Sequence, residues 1–522
     1  MKAITRRDFL KGIAGGAGIA AVSAFMGNSA FADAEGVNQE TVVSLPEDFA
    51  SMVAESTVVT EPITSFAEEH EYDVVVVGAG TTGVPAAISA YQSGASVAVL
   101  QKQGMIIAQG SLCAKVVKEK STEIGMRQYI HYNHKLYDYR NNPKLWERYV
   151  DRSEEAVNWL IAELDQAGFT DYRESDSRDH IYEDGNCYLE GLLFPGQTIA
   201  PMQALGAAYA DKIDFYYETP AVQLVKEGGK ITGVIGKNKA GEYVKFTVKK
   251  GVILTTGDYQ NNVAMKRRYN PDTLNFGTKQ SMKTGDGHLM AMAAGAQICP
   301  GVHTKMIHGT SIMREEPLLA VNGDGVRFME EDIEYTRRNT ILKDMKDPFM
   351  WSLFDANYFD YVYGWGSDPT VPTVANGTPE KLAGYIEKGS VLTADSIEEL
   401  ATLMEIDATQ LKATVDHYNE LCAGGFDYDF GKPSKYMKPV DTAPFYAVKR
   451  VYQVSAICDG LKINEAGQVL DLDNQPMEGL FAAGNCSGCF YGDVDYSLDS
   501  MGLSVGRCVT FGYLIGKDVA AL

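Results

Sequence analysis

The chain has 522 residues and a formal net charge of −22. A field of that sign repels nucleic acid and anionic lipid surfaces and argues against both as partners. The length exceeds one average domain, which predicts two cores or one core with a large insertion. Its 45% hydrophobic and 22% charged residues are ordinary for a globular enzyme. Nothing beyond the first thirty or so residues is long and apolar enough to span a bilayer, so no stable membrane insertion is expected.

Thr5-Arg6-Arg7-Asp8-Phe9-Leu10-Lys11 is a twin-arginine signature. A Gly- and Ala-rich stretch over 12–26 and an A-x-A site at Ala30-Phe31-Ala32 follow it. Residues 1–32 therefore read as a twin-arginine signal peptide, with a periplasmic or otherwise extracytoplasmic destination. That route carries proteins already folded around a cofactor. Residues 33–70 carry many Glu, Ser and Thr without apolar periodicity and read as a linker, with an added edge helix as the alternative. Eight cysteines in an exported chain can pair, but their connectivity is not legible from spacing.

From Tyr72 the pattern changes. Val74 to Val77 form a β-branched run of the kind buried on both faces of a sheet. Gly78-Ala79-Gly80-Thr81-Thr82-Gly83 follows at once, then a helix predicted over 84–93 that stops at Gly94. A second buried strand is predicted over 96–100, closed by the polar Gln101. This is a βαβ unit with G-x-G-x-x-G at its first turn, where glycines let backbone approach a pyrophosphate and a helix N-terminus supplies N–H groups. Residues 122–167 read as helical with few breakers, and 215–256 as a β-meander turning at Gly228-Gly229 and Ala240-Gly241. The mixed, aromatic-rich stretch 298–446 reads as an inserted α+β domain, and the tail returns to strand, loop and helix. The fold class is α/β: a Rossmann-like domain over 71–297 and 447–522, carrying a cap at 298–446.

Four further stretches are Thr284-Gly285-Asp286-Gly287-His288, the 321–331 segment with Asn322, Arg327, Phe328 and Glu331, Asp459-Gly460-Leu461, and Gly479 to Asn485 with Thr510-Phe511-Gly512. Together they resemble the fumarate reductase/succinate dehydrogenase flavoprotein superfamily. The soluble exported fumarate and urocanate reductases and the 3-ketosteroid dehydrogenases are the branches most alike. The resemblance implies non-covalently bound FAD. It places Gly78, Ala79, Gly80 and Gly83 at the pyrophosphate, Gln101 and Lys102 at the ribose, and Val222 beside the adenosine half. Gly110 and Ser111 would lie by the flavin, and Gly257, Asp258 and Asp286 would continue the nucleotide pocket. Gly484 and Asn485 would follow, Asn485 standing where a carboxylate is usual. Gly502, Leu503, Ser504 and Val505 would present a helix N-terminus to the flavin pyrimidine end.

The expected active site departs from fumarate reductase. That family's proton-donating Arg, eight residues after the R-F arginine, is Tyr335 here, and the relay Arg, thirteen before it, is Arg314. The relay Glu becomes Ser311, the carboxylate-gripping His falls near Ala456, and the H-G-x-N-R stretch becomes Tyr491-Gly492-Asp493-Val494-Asp495. A dicarboxylate needs cationic donors at both ends. The resemblance then implies reduction of a carbon–carbon double bond in a neutral or aromatic α,β-unsaturated small molecule. Tyr335 would be the acid, fed by Arg314, with Tyr491 or Tyr496 polarising a carbonyl. The sequence carries no C-x-x-C-H haem site, so a separate electron-donor protein is expected, in the setting of anaerobic respiration. Two alternatives stay open: a ketosteroid-type dehydrogenase, and a flavin electron-transfer subunit with no substrate of its own.

Four bland readings complete the survey. Arg327 and Glu331 suit a structural ion pair, and the aromatic run from Phe349 to Trp365 suits the insertion's own core as well as a flat substrate's pocket. Cys486-Ser487-Gly488-Cys489 is a lone C-x-x-C, favouring small-residue packing over a redox pair or cluster. His131/His134 and His303/His308 lack a third ligand, so no metal is expected.

Overall fold

Val74 to Val77 show no alternation because they run down the middle of a sheet. They end the strand Glu68–Val77, pairing in parallel with residues 251–254 on one side and with Val97–Leu100 on the other. The computed structural model describes residues 45–522 apart from 177–178, 310–311, 313–316, 334, 366–377, 493–495 and 497–498. The leader, residues 33–44 and Arg314 lie outside the described residues, and for Tyr335 the backbone alone is described.

The main sheet has eight strands among the described residues. Its path runs Gln468–Leu470, Pro476–Ala482, Tyr243–Leu254, Glu68–Val77, Val97–Leu100, Asp214–Tyr216, with the meander strands Lys230–Lys237 and Ala221–Glu227 branching from Tyr243–Leu254. The central pairings are parallel. The helix Gly83–Gln92 and the terminal helix Leu503–Ala520 cover this sheet, both largely buried. This is the Rossmann-like arrangement anticipated from the βαβ pattern.

One expectation is corrected and another refined. The expected linker is built structure from residue 45 onward. Phe49 and Met52, three apart on the short helix Phe49–Ala54, are buried in the main core. Glu55 accepts from the N–H groups of Val263 and Ala264 at the start of the helix Val263–Tyr269, and Val59 N–H donates to Val222 O. One helical turn is too short to show periodicity, so composition misread it. The helical stretch over 122–167 is broken once, into Glu123–Leu136 and Pro143–Gln166. Asp138 and Tyr139 take φ of 52° and 59°, and Asn142 caps the second helix with Pro143 in its first turn.

The insertion has its own four-stranded sheet, ordered Leu319–Val321, Phe349–Phe354, Phe445–Val451, Leu392–Ala394. The strand crossing residue 446 thus belongs to the cap through Val451, whereas Lys305–His308 pairs with Gln453–Ile457 beneath it. Trp351 packs in one cap core with Leu400, Leu411 and Tyr418, and Phe354 and Tyr358 in a second. The aromatic run serves the insertion's own packing.

A buried ion cluster ties these layers. Arg327 donates from Nε and Nη2 to Glu331 at 2.9 and 2.8 Å and from Nη1 and Nη2 to Asp427 at 2.9 and 2.7 Å. Lys432 Nζ stands 3.3 Å from Glu331, and Glu331 accepts from Ala320 N–H. Burial pushes the Asp427 carboxyl up, but Arg327 and the Lys432 N–H outweigh it and hold it well below the usual range. A depressed carboxyl contributes stability above its unfolded pKa, near 3.9, and loses it as pH falls through the folded value. Arg327→Met strands two buried carboxylates and should cost about 3–5 kcal/mol in urea unfolding at neutral pH. Wild-type stability should fall below about pH 4, and that acid limb should flatten in the variant.

Candidate active site

The strand Glu68–Val77 delivers its chain end to a turn that only glycine fits. Gly78 has φ +103°, and a Cβ there would press on Thr255 O at 2.6 Å. A Cβ on Gly83 would collide with Gly78 O, so the helix Gly83–Gln92 seats directly on the turn. In its first turn Val84 N–H donates to Gly80 O and Ala86 N–H to Thr82 O, Pro85 has no N–H, and the positive end of the helix dipole lies at the turn. A cavity opens there, with about 1320 Å³ of free space, mouth included.

Of the residues anticipated for the cofactor, Gly78, Ala79, Gly80, Gln101, Lys102, Gly110, Gly257, Asp286, Asn485, Ser504 and Val505 line this one cavity. Gln101 Oε1 accepts from Ala79 N–H at 3.3 Å while its Nε2 donates to Met105 O at 2.7 Å, fastening the turn to the loop after the second strand. Lys102 Nζ reaches Asp286 at 2.9 Å and Thr284 Oγ1 at 2.8 Å. Asp286 also accepts from Thr57 N–H, which brings the built part of the expected linker to the site.

Gly83, Ser111, Val222, Asp258, Gly484, Gly502 and Leu503 stand off the cavity wall. Val222 is buried in its strand, and its neighbours Pro220 and Ala221 face the space instead. The carboxylate of Asp258 is fully buried, bonding Gln260 N–H at 3.0 Å and Lys283 Nζ at 3.1 Å. Lys283, which lines the cavity and also donates to Gln109 Oε1 at 2.8 Å, was not anticipated. Its place just before the Thr284–His288 motif was the available signal. Gly502, at φ +81°, caps the terminal helix, and Leu503 packs beneath it.

The terminal helix brings a second N-terminus to the same cavity. Val505 packs so close to Gly110 that a Cβ on Gly110 would strike it. Behind this end lies Arg507, fully buried. It donates from Nη2 to Asn485 Oδ1 at 2.7 Å and lies over the rings of Phe490 and Tyr491 at 5.5 and 5.0 Å. Its Nε and Nη1 have no partner among the described residues. A lone charge among the apolar residues of 503–516 was the sequence signal for it, and it went unread.

The tyrosines expected to polarise a carbonyl are not on the cavity wall. Tyr496 is buried with its hydroxyl donating to Ser500 O and accepting from Ser504 N–H, both at 3.3 Å. It therefore holds the first turn of the terminal helix. Tyr491 is buried between Tyr137, Phe490, Tyr496 and Arg507, and its hydroxyl has no partner among the described residues. Burial pushes this phenol well above its ordinary value, against the lowering effect of Arg507, so it keeps its proton at neutral pH. Tyr335 begins a short 3₁₀ turn, Tyr335–Arg338.

The cavity fits FAD on its own terms. It has a glycine cradle against one helix N-terminus, a second N-terminus opposite, and lysines at its wall for phosphate oxygens. Gly80 tests the cradle. It lines the cavity, and a Cβ there meets only Ile107 O, at 3.3 Å. Gly80→Val should therefore leave a folded chain, with unchanged circular dichroism, that purifies colourless. A variant that retains a full complement of flavin would remove the cradle assignment.

The model for the FAD binding domain matches residues 73–495 of this chain. Among known proteins, a vinyl phenol reductase of Lactiplantibacillus plantarum is 28% identical, over 87% of this chain and 98% of its own length. A urocanate reductase of Eggerthella lenta is 27% identical, over 87% and 75%. Among solved structures, the open conformation of a flavocytochrome c3 fumarate reductase superposes with a TM-score of 0.68 at 23% identity, covering 87% of this chain and 79% of that one. The 3-ketosteroid Δ1-dehydrogenase of Sterolibacterium denitrificans superposes at 0.64 with 20% identity, covering 87% and 100%. With the match spanning most of its length, the chain belongs to the FAD binding domain family and is an FAD-dependent oxidoreductase.

Proposed function

We propose that this chain reduces a carbon–carbon double bond in a neutral or aromatic α,β-unsaturated acceptor that is not a dicarboxylate. One observation carries the reading. Ala456, where fumarate reductases hold a carboxylate-gripping histidine, is a buried residue paired across the strands with Met306, which lines the cavity. No histidine stands at this position to grip a carboxylate. Behind the terminal helix the rings of Tyr137, Phe490, Tyr491 and Tyr496 pack together off the cavity wall, with Arg507 against Phe490 and Tyr491. The vinyl phenol reductase named above acts, by its name, on a vinyl phenol, a flat and weakly polar alkene, and we extend that kind of acceptor to this chain.

When bound, FAD supplies the hydride. The chain's own residues do the rest. The two helix N-termini orient the cofactor, and Tyr335 delivers the proton, resupplied by Arg314. Export rests on the twin-arginine leader. A separate electron-donor protein and a role in anaerobic respiration go with it, since the leader carries the protein away from cytoplasmic reductants.

The measurement is anaerobic reoxidation of dithionite-reduced protein by a panel of acceptors: fumarate, urocanate, cinnamates, vinyl phenols and enone steroids. Fast reoxidation by an aromatic alkene, with fumarate slower by about 100-fold or more, is expected, since lost charged contacts cost several kcal/mol. Fumarate turnover at a comparable rate would overturn the reading. Tyr335→Phe should retain flavin and lose turnover by about 10²–10⁴-fold, the range of a general acid. A near wild-type rate would take Tyr335 out of the mechanism.

A further inference from the structure

The C-x-x-C of the tail does not pair with itself. Cys486 is buried and accepts from Thr256 Oγ1 at 3.3 Å, on the cavity side. Cys489 points elsewhere, and its sulfur lies 3.0 Å from that of Cys299, a residue 190 positions away. That separation is about 1 Å longer than a disulfide bond and inside ordinary contact for two sulfurs.

One short segment holds both cysteines in place. Cys299 N–H donates to Gly460 O at 2.8 Å, Gly488 N–H to Leu461 O at 2.7 Å, and Cys489 N–H to Asp459 Oδ1 at 3.0 Å. Gly488 leaves the space in which they meet, since a Cβ there would strike both Cys299 Sγ and Asp459 Oδ1. Cys489 itself sits at φ +67°, a conformation costly for a residue with a side chain. The surroundings hold that strain in the orientation that aims Sγ at Cys299.

We propose that Cys299 and Cys489 are a disulfide site, closing a covalent clamp between the entry to the cap and the tail loop that carries Tyr491. The same two segments are already joined by hydrogen bonds, Thr304 Oγ1 to Gly492 O and Tyr496 N–H to Lys305 O. The oxidant is an external disulfide. Cys489, the less buried of the two, attacks it as the thiolate and releases one external thiol. Cys299 then attacks Cys489 Sγ in the mixed disulfide and releases the second. The two protein thiols are oxidised, one external disulfide is reduced to two thiols, and the Cys299 proton passes to the Asp459 carboxylate beside it. The contact with Cys489, then burial, then that carboxylate hold the Cys299 thiol well above its ordinary value, so Cys299 reacts second. The clamp is independent of which acceptor the enzyme reduces.

The full chain is equilibrated in a glutathione buffer rich in oxidised glutathione, unfolded, blocked with N-ethylmaleimide and digested without reduction. Expected is a cross-linked peptide joining Cys299 and Cys489, two hydrogens lighter than its parts, with two fewer blocked cysteines than the eight of the reduced chain. All eight blocked, or a link from Cys486 to Cys489, would overturn the proposal. As a second readout, oxidised wild type should unfold about 5 °C above the reduced form, and Cys299→Ser and Cys489→Ser should each lose that difference while keeping their flavin. A variant that still shows the full shift on reduction would overturn it equally.

Discussion

The helix after the first strand and the terminal helix cross at a contact that has no room for side chains. A Cβ on Gly512 would collide with Thr82 O, and one on Gly516 with Ala86 O. At that separation the backbones touch, so the terminal helix is pinned to the first turn of its neighbour. From Gly512 back to Leu503 is nine residues, about 14 Å of helix. The crossing therefore sets how far apart the two positive helix ends lie on the cavity rim. A dinucleotide cofactor has a fixed length, and the cavity's ends are set by backbone contact rather than by flexible side chains.

Charge is distributed in the same economical way. The protein is strongly acidic overall, yet its cavity wall carries Lys102 and Lys283, each held by an aspartate, Asp286 and Asp258. Pairing keeps the lysines in position and lets them face an anionic ligand. Arg507 differs. It is buried with one neutral hydrogen-bond partner and two aromatic faces, and no carboxylate bonds it among the described residues. A guanidinium so placed keeps its positive field, and it transmits that field through Asn485 to the cavity wall. The phenol of Tyr491 lies against the same cation and stays protonated.

The cap is held together differently from the domain beneath it. Its sheet and helices form two separate apolar cores, and Arg327 with Glu331, Asp427 and Lys432 joins the pieces at their edges. Such a cluster is specific in geometry but costly to desolvate, so it fixes how the pieces fit more than it adds to stability. That division suits a cap that keeps its own shape.

Local chemistry determined what the sequence made legible. Val74 to Val77 and the glycines after them announced a buried strand and a phosphate-binding turn, because both properties depend on residues within a few positions of each other. Gly228-Gly229 and Ala240-Gly241 marked the meander turns for the same reason. The anchoring of Phe49 and Met52 was not legible, since a single helical turn has no period to read. Tertiary structure alone decided that Tyr496 holds the first turn of the terminal helix, that Lys283 faces the cavity, and that Cys489 meets Cys299 rather than Cys486. Cys299 and Cys489 are 190 positions apart, and Tyr496, though only four and eight residues from Ser500 and Ser504, is fixed by the packing around it. Their placement is set by how sheets and helices pack, and no spacing in the sequence encodes it.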